Sequence, residues 1–152
     1  MDRNLIEVYV AGGQQLREAY LGLSDAQLQA VPIAGTWSLH QIAIHMMDSD
    51  LIASDRMKRI ACMDRPLLIG YDETAFSKLP GIEDIDAFEA IDLFDRNRQL
   101  TARILRKLPD SVFERFGIHN EAGKVTLEYM VKNYIDHLNG HLQWVHKKRA
   151  MV

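Results

Sequence analysis

The chain contains one cysteine, Cys62, so no intramolecular disulfide can form. That absence fits a reducing compartment, and the protein is expected in the cytoplasm. Cys62 falls in a helical stretch, IACMDR, with no histidine near it in sequence, and is expected to fill core rather than to act as a nucleophile. The charge is also unremarkable: the net value is −3 with both signs interspersed. The longest basic run, Lys147, Lys148 and Arg149, ends a helical pattern, where cations interact favourably with the helix dipole. A nucleic-acid footprint is thereby excluded. No apolar run approaches the length of a membrane span, and Asp2 and Glu7 interrupt any signal-peptide core, so a membrane partner is not expected. Proline is scarce, and Pro32, Pro66, Pro80 and Pro109 fall at breaks between periodic segments. No convincing apolar/polar alternation appears, so strands are not expected.

What is present is helical periodicity. A chain of 152 residues suits one domain, residues 1–152, burying roughly two-thirds of its unfolded surface. Four long patterns predict an all-α four-helix bundle with long connections. Helix one covers about Asp2 to Leu23, with Gly12-Gly13 marking a kink or a close helix contact. Ser24 and Gln27 have capping-box spacing and predict a short helix that stops before Pro32. Helix two starts at Ser38, with Gln41 as reciprocal cap and Trp37 and Ile42 as a hydrophobic staple, and runs to about Cys62 or Asp64. Pro66 opens an irregular connection that holds a short helix capped by Asp72. Helix three occupies about Ile85 to Leu108, with Phe88, Ile91, Leu100, Ile104, Leu105 and Leu108 as its apolar set. The stretch FGIHNEAGKV reads as a polar loop, and Thr126 caps helix four.

Helix four carries an inward stripe of Leu127, Met130, Tyr134, His137, Leu138, His141 and Val145. A buried imidazole without a partner costs roughly 1–3 kcal/mol, and here two lie one turn apart. His-x3-His on a helix suits one transition-metal ion, and His45 on the inward face of helix two is the candidate third ligand. His40 and His146, at helix ends, are expected to be exposed. Trp37 is read as a packing residue and Trp144 as core or dimer contact.

The segments TWSLHQIAIHMMDSD and YIDHLNGHLQWV, with GYDETAFSKL, LFDRNRQLTARILRKL and HNEAGKVTLEYM between them, resemble the DinB-like metal-binding bundles of the DinB/YfiT superfamily. The resemblance implies a metal site formed by His45, His137 and His141, with Zn or Ni as the usual ion. It implies a small-molecule substrate, a homodimer, and a metal-dependent activity. Among characterised members that activity includes S-transfer with a low-molecular-weight thiol, so a thiol-dependent S-transferase of detoxification type is the first expectation. A metal-dependent hydrolase and a non-enzymatic, stress-related metal-binding bundle are the alternatives. Leu138 follows His137, so the glutamate of a His-Glu-x-x-His protease is missing and a base must come from elsewhere. Asp48, one turn from His45, and His119 and Glu121, in the loop before helix four, are the catalytic candidates. For an anionic cofactor the loose candidates are Arg56, Arg98 and Arg103. Gly140 departs from good helix-forming chemistry and is read as a helix approach point or a surface position.

Overall fold

In the computed structural model, which describes residues 1–152, the expected four-helix bundle forms. The long helices are α1 (Asn4–Tyr20), α3 (Leu39–Cys62), α5 (Ala87–Leu105) and α6 (Leu127–Arg149); short helices α2 (Asp25–Gln29) and α4 (Glu73–Phe76) lie in the connections. α1 and α3 each pack on α5 and α6, which places α1 and α3 diagonally across the bundle.

The starts of these helices follow from local chemistry. Ser38 accepts the Gln41 N–H at 3.1 Å while the Gln41 side chain accepts the Ser38 N–H at 2.9 Å. Two otherwise orphaned donors are satisfied reciprocally at the start of α3. The same box forms at Ser24 and Gln27 before α2. Asp72 caps α4, Asp86 caps α5 by accepting the Phe88 and Glu89 N–H groups, and Thr126 caps α6.

Two apolar clusters fill the bundle. One gathers Ile6, Met57, Ile60, Phe113 and Val131; the other gathers Leu16, Tyr20, Leu39, Phe94 and Val145. Near their junction, the guanidinium of Arg98 donates to Asp50 Oδ1 at 2.8 Å and to the carbonyls of Tyr9 at 3.0 Å and Tyr134 at 2.8 Å. Arg98 therefore joins all four long helices, with neither charge of the Arg98–Asp50 pair open to solvent. The glycine pair in α1 is a close contact: a Cβ at Gly12 would run into Arg98 and Leu138, and one at Gly13 into Asp95.

Several expectations are corrected. The loop before α6 is a β-hairpin, β2 (Phe116–His119) and β3 (Gly123–Thr126), and β1 (Leu67–Leu68) pairs in parallel with β2. Four-residue strands containing Gly117 and Gly123 are too short to show alternation, and Gly123 supplies the left-handed turn with φ 72°. Leu100 and Ile104 are exposed, because the inward face of α5 is Ala87, Ala90, Ile91, Phe94, Arg98, Thr101, Ala102 and Leu105. Buried Arg98 and Thr101 interrupt the apolar pattern and shift its apparent face. Cys62 is exposed at the end of α3 rather than buried. His40 is buried, with its Nε2 2.7 Å from the Ile85 carbonyl, because the segment leading into α5 passes over the first turn of α3. Trp144 is 44% exposed, not core.

Candidate metal centre

α3 contributes His45, and α6 contributes His137 and His141 from consecutive turns. One ring nitrogen of each histidine lies within 4.8 Å of the others. The His45 and His137 Nε2 atoms are 3.2 Å apart. That approaches the edge of a tetrahedron built on metal–nitrogen bonds of about 2.0–2.1 Å, roughly 3.4 Å. The rings meet edge-on or tilted with centroids 4.6 to 5.2 Å apart, and Trp37 packs at a tilt against His45 at 4.9 Å.

Burial keeps these imidazoles neutral. It pushes His45 down to about 4, with help from His141, and His137 down to about 3, with help from His141 and His45; His141 is lowered by burial alone. Neutral imidazole is the metal-binding form. His137 Nδ1 is buried with no hydrogen-bond partner, an orphan that marks this cluster as incomplete on its own. The donor set therefore fits a divalent transition-metal ion held by three nitrogens with positions left for small ligands.

Around the cluster are two openings of opposite character. On the His137 side is a polar cavity of about 430 Å³, lined by residues including Ser49, Arg56, Tyr71, Glu73, His119 and Glu121. On the His141 side is an apolar crevice of about 150 Å³ between Trp37, Ile42 and Trp144, with the buried Lys148 at its wall donating to Thr36 Oγ1.

The candidate acids and bases are distributed unevenly. His119 and Glu121 line the polar cavity, carried there by the hairpin. His119 Nδ1 accepts the N–H groups of Glu121 and Ala122 at 3.2 and 3.3 Å, which leaves its ring proton on Nε2. Burial, and then the nearby Arg56 charge, lower the His119 pKa. Asp48 faces a small gap beside His45 rather than the polar cavity, and burial raises its pKa. Of the three arginines, Arg56 lines the polar cavity, Arg98 is locked in the core and Arg103 is exposed.

Glu73 was not singled out by the sequence. Its Oε2 lies 3.7 Å from His45 Nε2, with the side chain 55% exposed. It is the first residue of α4, so the Asp72 cap that predicts this short helix also aims Glu73 at the histidines. Tyr71 was missed as well; its hydroxyl is buried without a partner, and burial pushes it up to about 12. The signal for Ser49 was available, since it follows His45 by four residues and shares its helix face, as does the candidate Arg56 eleven residues on.

The resemblances follow the same architecture. YfiT of Bacillus subtilis (strain 168), named provisionally as a metal-dependent hydrolase, is 27% identical over 129 residues, 84% of this chain and 72% of that protein. A protein of Oceanobacillus iheyensis with the same provisional naming is 24% identical over 127 residues, 84% of this chain and 73% of its own length. The solved structure of B. subtilis YfiT, described as a four-helix bundle of unusual topology, superposes with a TM-score of 0.90 at 25% identity, covering 95% of this chain and 83% of that one. A DinB-like protein of B. subtilis, YjoA, shares the fold at a TM-score of 0.64 and 13% identity, over 98% of this chain and 94% of that one. No helix here is long and apolar enough to cross a membrane. With the superfamily's profile matching residues 9–145, the chain belongs to the DinB superfamily.

Proposed function

We propose that this protein is a metal-dependent hydrolase of a small-molecule substrate, with His45, His137 and His141 as the ligands. One observation carries the reading: three neutral imidazoles converge within 4.8 Å beside a polar cavity, with a free carboxylate, Glu73, 3.7 Å from one of them. A divalent ion there, Zn or Ni as in the family resemblance although imidazole accepts Cu, Fe and Co as well, would lower the pKa of a water and polarise a carbonyl.

The chain's own groups supply the rest. Glu73 Oε2 is placed to accept a proton from the attacking water and return it to the leaving group as the carbonyl–heteroatom bond breaks. The His119 ring, with its proton on Nε2, offers a donor at the same cavity. Trp37 and the bundle core shield His45 from bulk water. Transfer to a low-molecular-weight thiol needs the same ion. The carboxylate beside His45 and the provisional naming of the relatives favour water as the nucleophile. A homodimer in the cytoplasm accompanies this reading, and light scattering on the purified protein reads the oligomeric state.

The test pairs elemental analysis with turnover of activated esters and amides. Wild type should hold near-stoichiometric metal, and alanine at His45, His137 or His141 should remove most of it, whereas His146→Ala should not. Glu73→Gln should keep the metal and lower kcat by about 10²-fold or more. Equal metal loss from His146→Ala, or unchanged turnover in Glu73→Gln, would overturn the assignment.

A further inference from the structure

Six arginines pair with acids: Arg3 with Asp110, Arg17 with Asp92, Arg59 with Asp55, Arg65 with Asp64, Arg106 with Glu7, and in the core Arg98 with Asp50; of the unpaired ones, Arg96, Arg103 and Arg115 are exposed and Arg149 is half-buried. Arg56 differs. Its residue is 8% exposed, and its guanidinium makes two hydrogen bonds, to the Ile69 carbonyl at 2.5 Å and to the Tyr134 hydroxyl at 3.3 Å. No carboxylate of the chain forms a salt bridge with it. A buried cation without a counter-charge is strongly unfavourable, and burial alone does not stabilise it.

The guanidinium lines the same 430 Å³ cavity as His137. Tyr134, which accepts from Arg56, stacks edge-on against His137 with ring centroids 5.8 Å apart. The unpartnered Tyr71 hydroxyl and the Asn133 amide line this cavity too. Arg56 therefore lies one tyrosine away from the histidine cluster, in a cavity that also holds the unpaired Tyr71 hydroxyl. A planar guanidinium fork is matched by a carboxylate, which accepts two parallel N–H bonds. Asp72, Glu73 and Glu121 line the other parts of the cavity, so a dianionic group such as phosphate meets more like-charge repulsion there than a single carboxylate seated on Arg56 does.

We propose that the polar cavity is a carboxylate-recognition subsite anchored by Arg56, and that the substrate is an acylated amino acid or peptide terminus whose carboxylate sits on Arg56. This rests on the hydrolase reading for what happens at the histidines, but the subsite itself is a matter of binding. In such a substrate the acyl carbon lies a few bonds from the carboxylate, which suits two recognition points separated by one aromatic side chain.

The experiment compares N-acetyl-L-alanine with its primary amide, binding to zinc-loaded full-length protein by ligand-observed NMR titration. Wild type should prefer the acid by about tenfold or more. Arg56→Met should bring the ratio to about one with metal content unchanged. A preference that persists in Arg56→Met would place the carboxylate on the metal instead, and equal binding of acid and amide to wild type would remove the subsite; either overturns the proposal. Should Arg56→Met fail to fold, the Arg56 side-chain Nε–H resonance of ¹⁵N-labelled wild type decides: it should move with the acid and stay still with the amide, and the reverse overturns the proposal. Arg56-dependent binding without any turnover would keep the subsite and remove the hydrolase. Turnover of a carboxylate-free ester without acid preference would do the opposite.

Discussion

At the scale of single residues, the histidine cluster is held neutral by burial, and this has a consequence for stability. His45 and His137 sit at about 4 and about 3 in the folded metal-free chain, against an ordinary value near 6.5 in the unfolded one. Between those values the unfolded chain binds more protons, so stability rises with pH across that window. The contribution is fully present above about pH 6.5 and is lost as pH falls toward about 3–4. Thermal melts of metal-free protein should drop steadily over this range, and a His45→Gln, His137→Gln double variant should show a flatter profile; an equally steep profile in the variant would assign the acid sensitivity to other groups. The three histidines were legible in the sequence because each lies on an apolar helix stripe, where an imidazole stands out. Glu73 was not, because it arrives on a four-residue helix whose direction no periodicity reveals. Arg56 was legible only as one of three loose candidates for an anionic ligand, because a lone arginine in an apolar stripe can equally snorkel to the surface until its surroundings are seen.

At the scale of elements, caps made the starts of α2, α3 and α6 readable, since the sequence itself contains both partners of each hydrogen bond. The inward face of α5 was misread where its burial depends on Asp50 of another helix, which no local pattern contains. The sheet escaped because β1 and β2 are about fifty residues apart and because each strand, those of the local β2–β3 hairpin included, is at most four residues long. Two helical glycines give a direct contrast. A Cβ at Gly12 collides with Arg98 and Leu138, whereas one at Gly140 meets nothing within 4 Å. Gly12→Ala should destabilise by about 1–3 kcal/mol through overpacking. Gly140→Ala should stabilise by about 0.4–1 kcal/mol, because alanine restricts the unfolded chain and favours helix. Urea midpoints of the two variants should move in opposite directions; a destabilised Gly140→Ala would mean that another surface approaches α6 there.

At the scale of the molecule, Arg98 ties all four long helices through one guanidinium, with the Tyr9 and Phe94 rings 4.3 and 4.4 Å from it. Removing it leaves Asp50 buried with its charge uncompensated. Arg98→Met should therefore destabilise by about 3–5 kcal/mol, and adding Asp50→Asn should recover part of that loss. Denaturant unfolding of the two variants checks this, and no recovery in the double variant would show that the arginine acts through packing alone. The small sheet works on the same scale by a different route. Ile118 N–H donates to Pro66 at 2.8 Å, Asn120 N–H to Leu68 at 3.1 Å, and Gly70 N–H to the Asn120 side chain at 2.6 Å. The connection carrying Tyr71 and Glu73 is thus stitched to the hairpin carrying His119 and Glu121, and the two cannot part from the bundle independently. Amide hydrogens in both segments should exchange with solvent at a common opening free energy, and a ligand too large for the resting mouth would pass at the rate of that one shared opening.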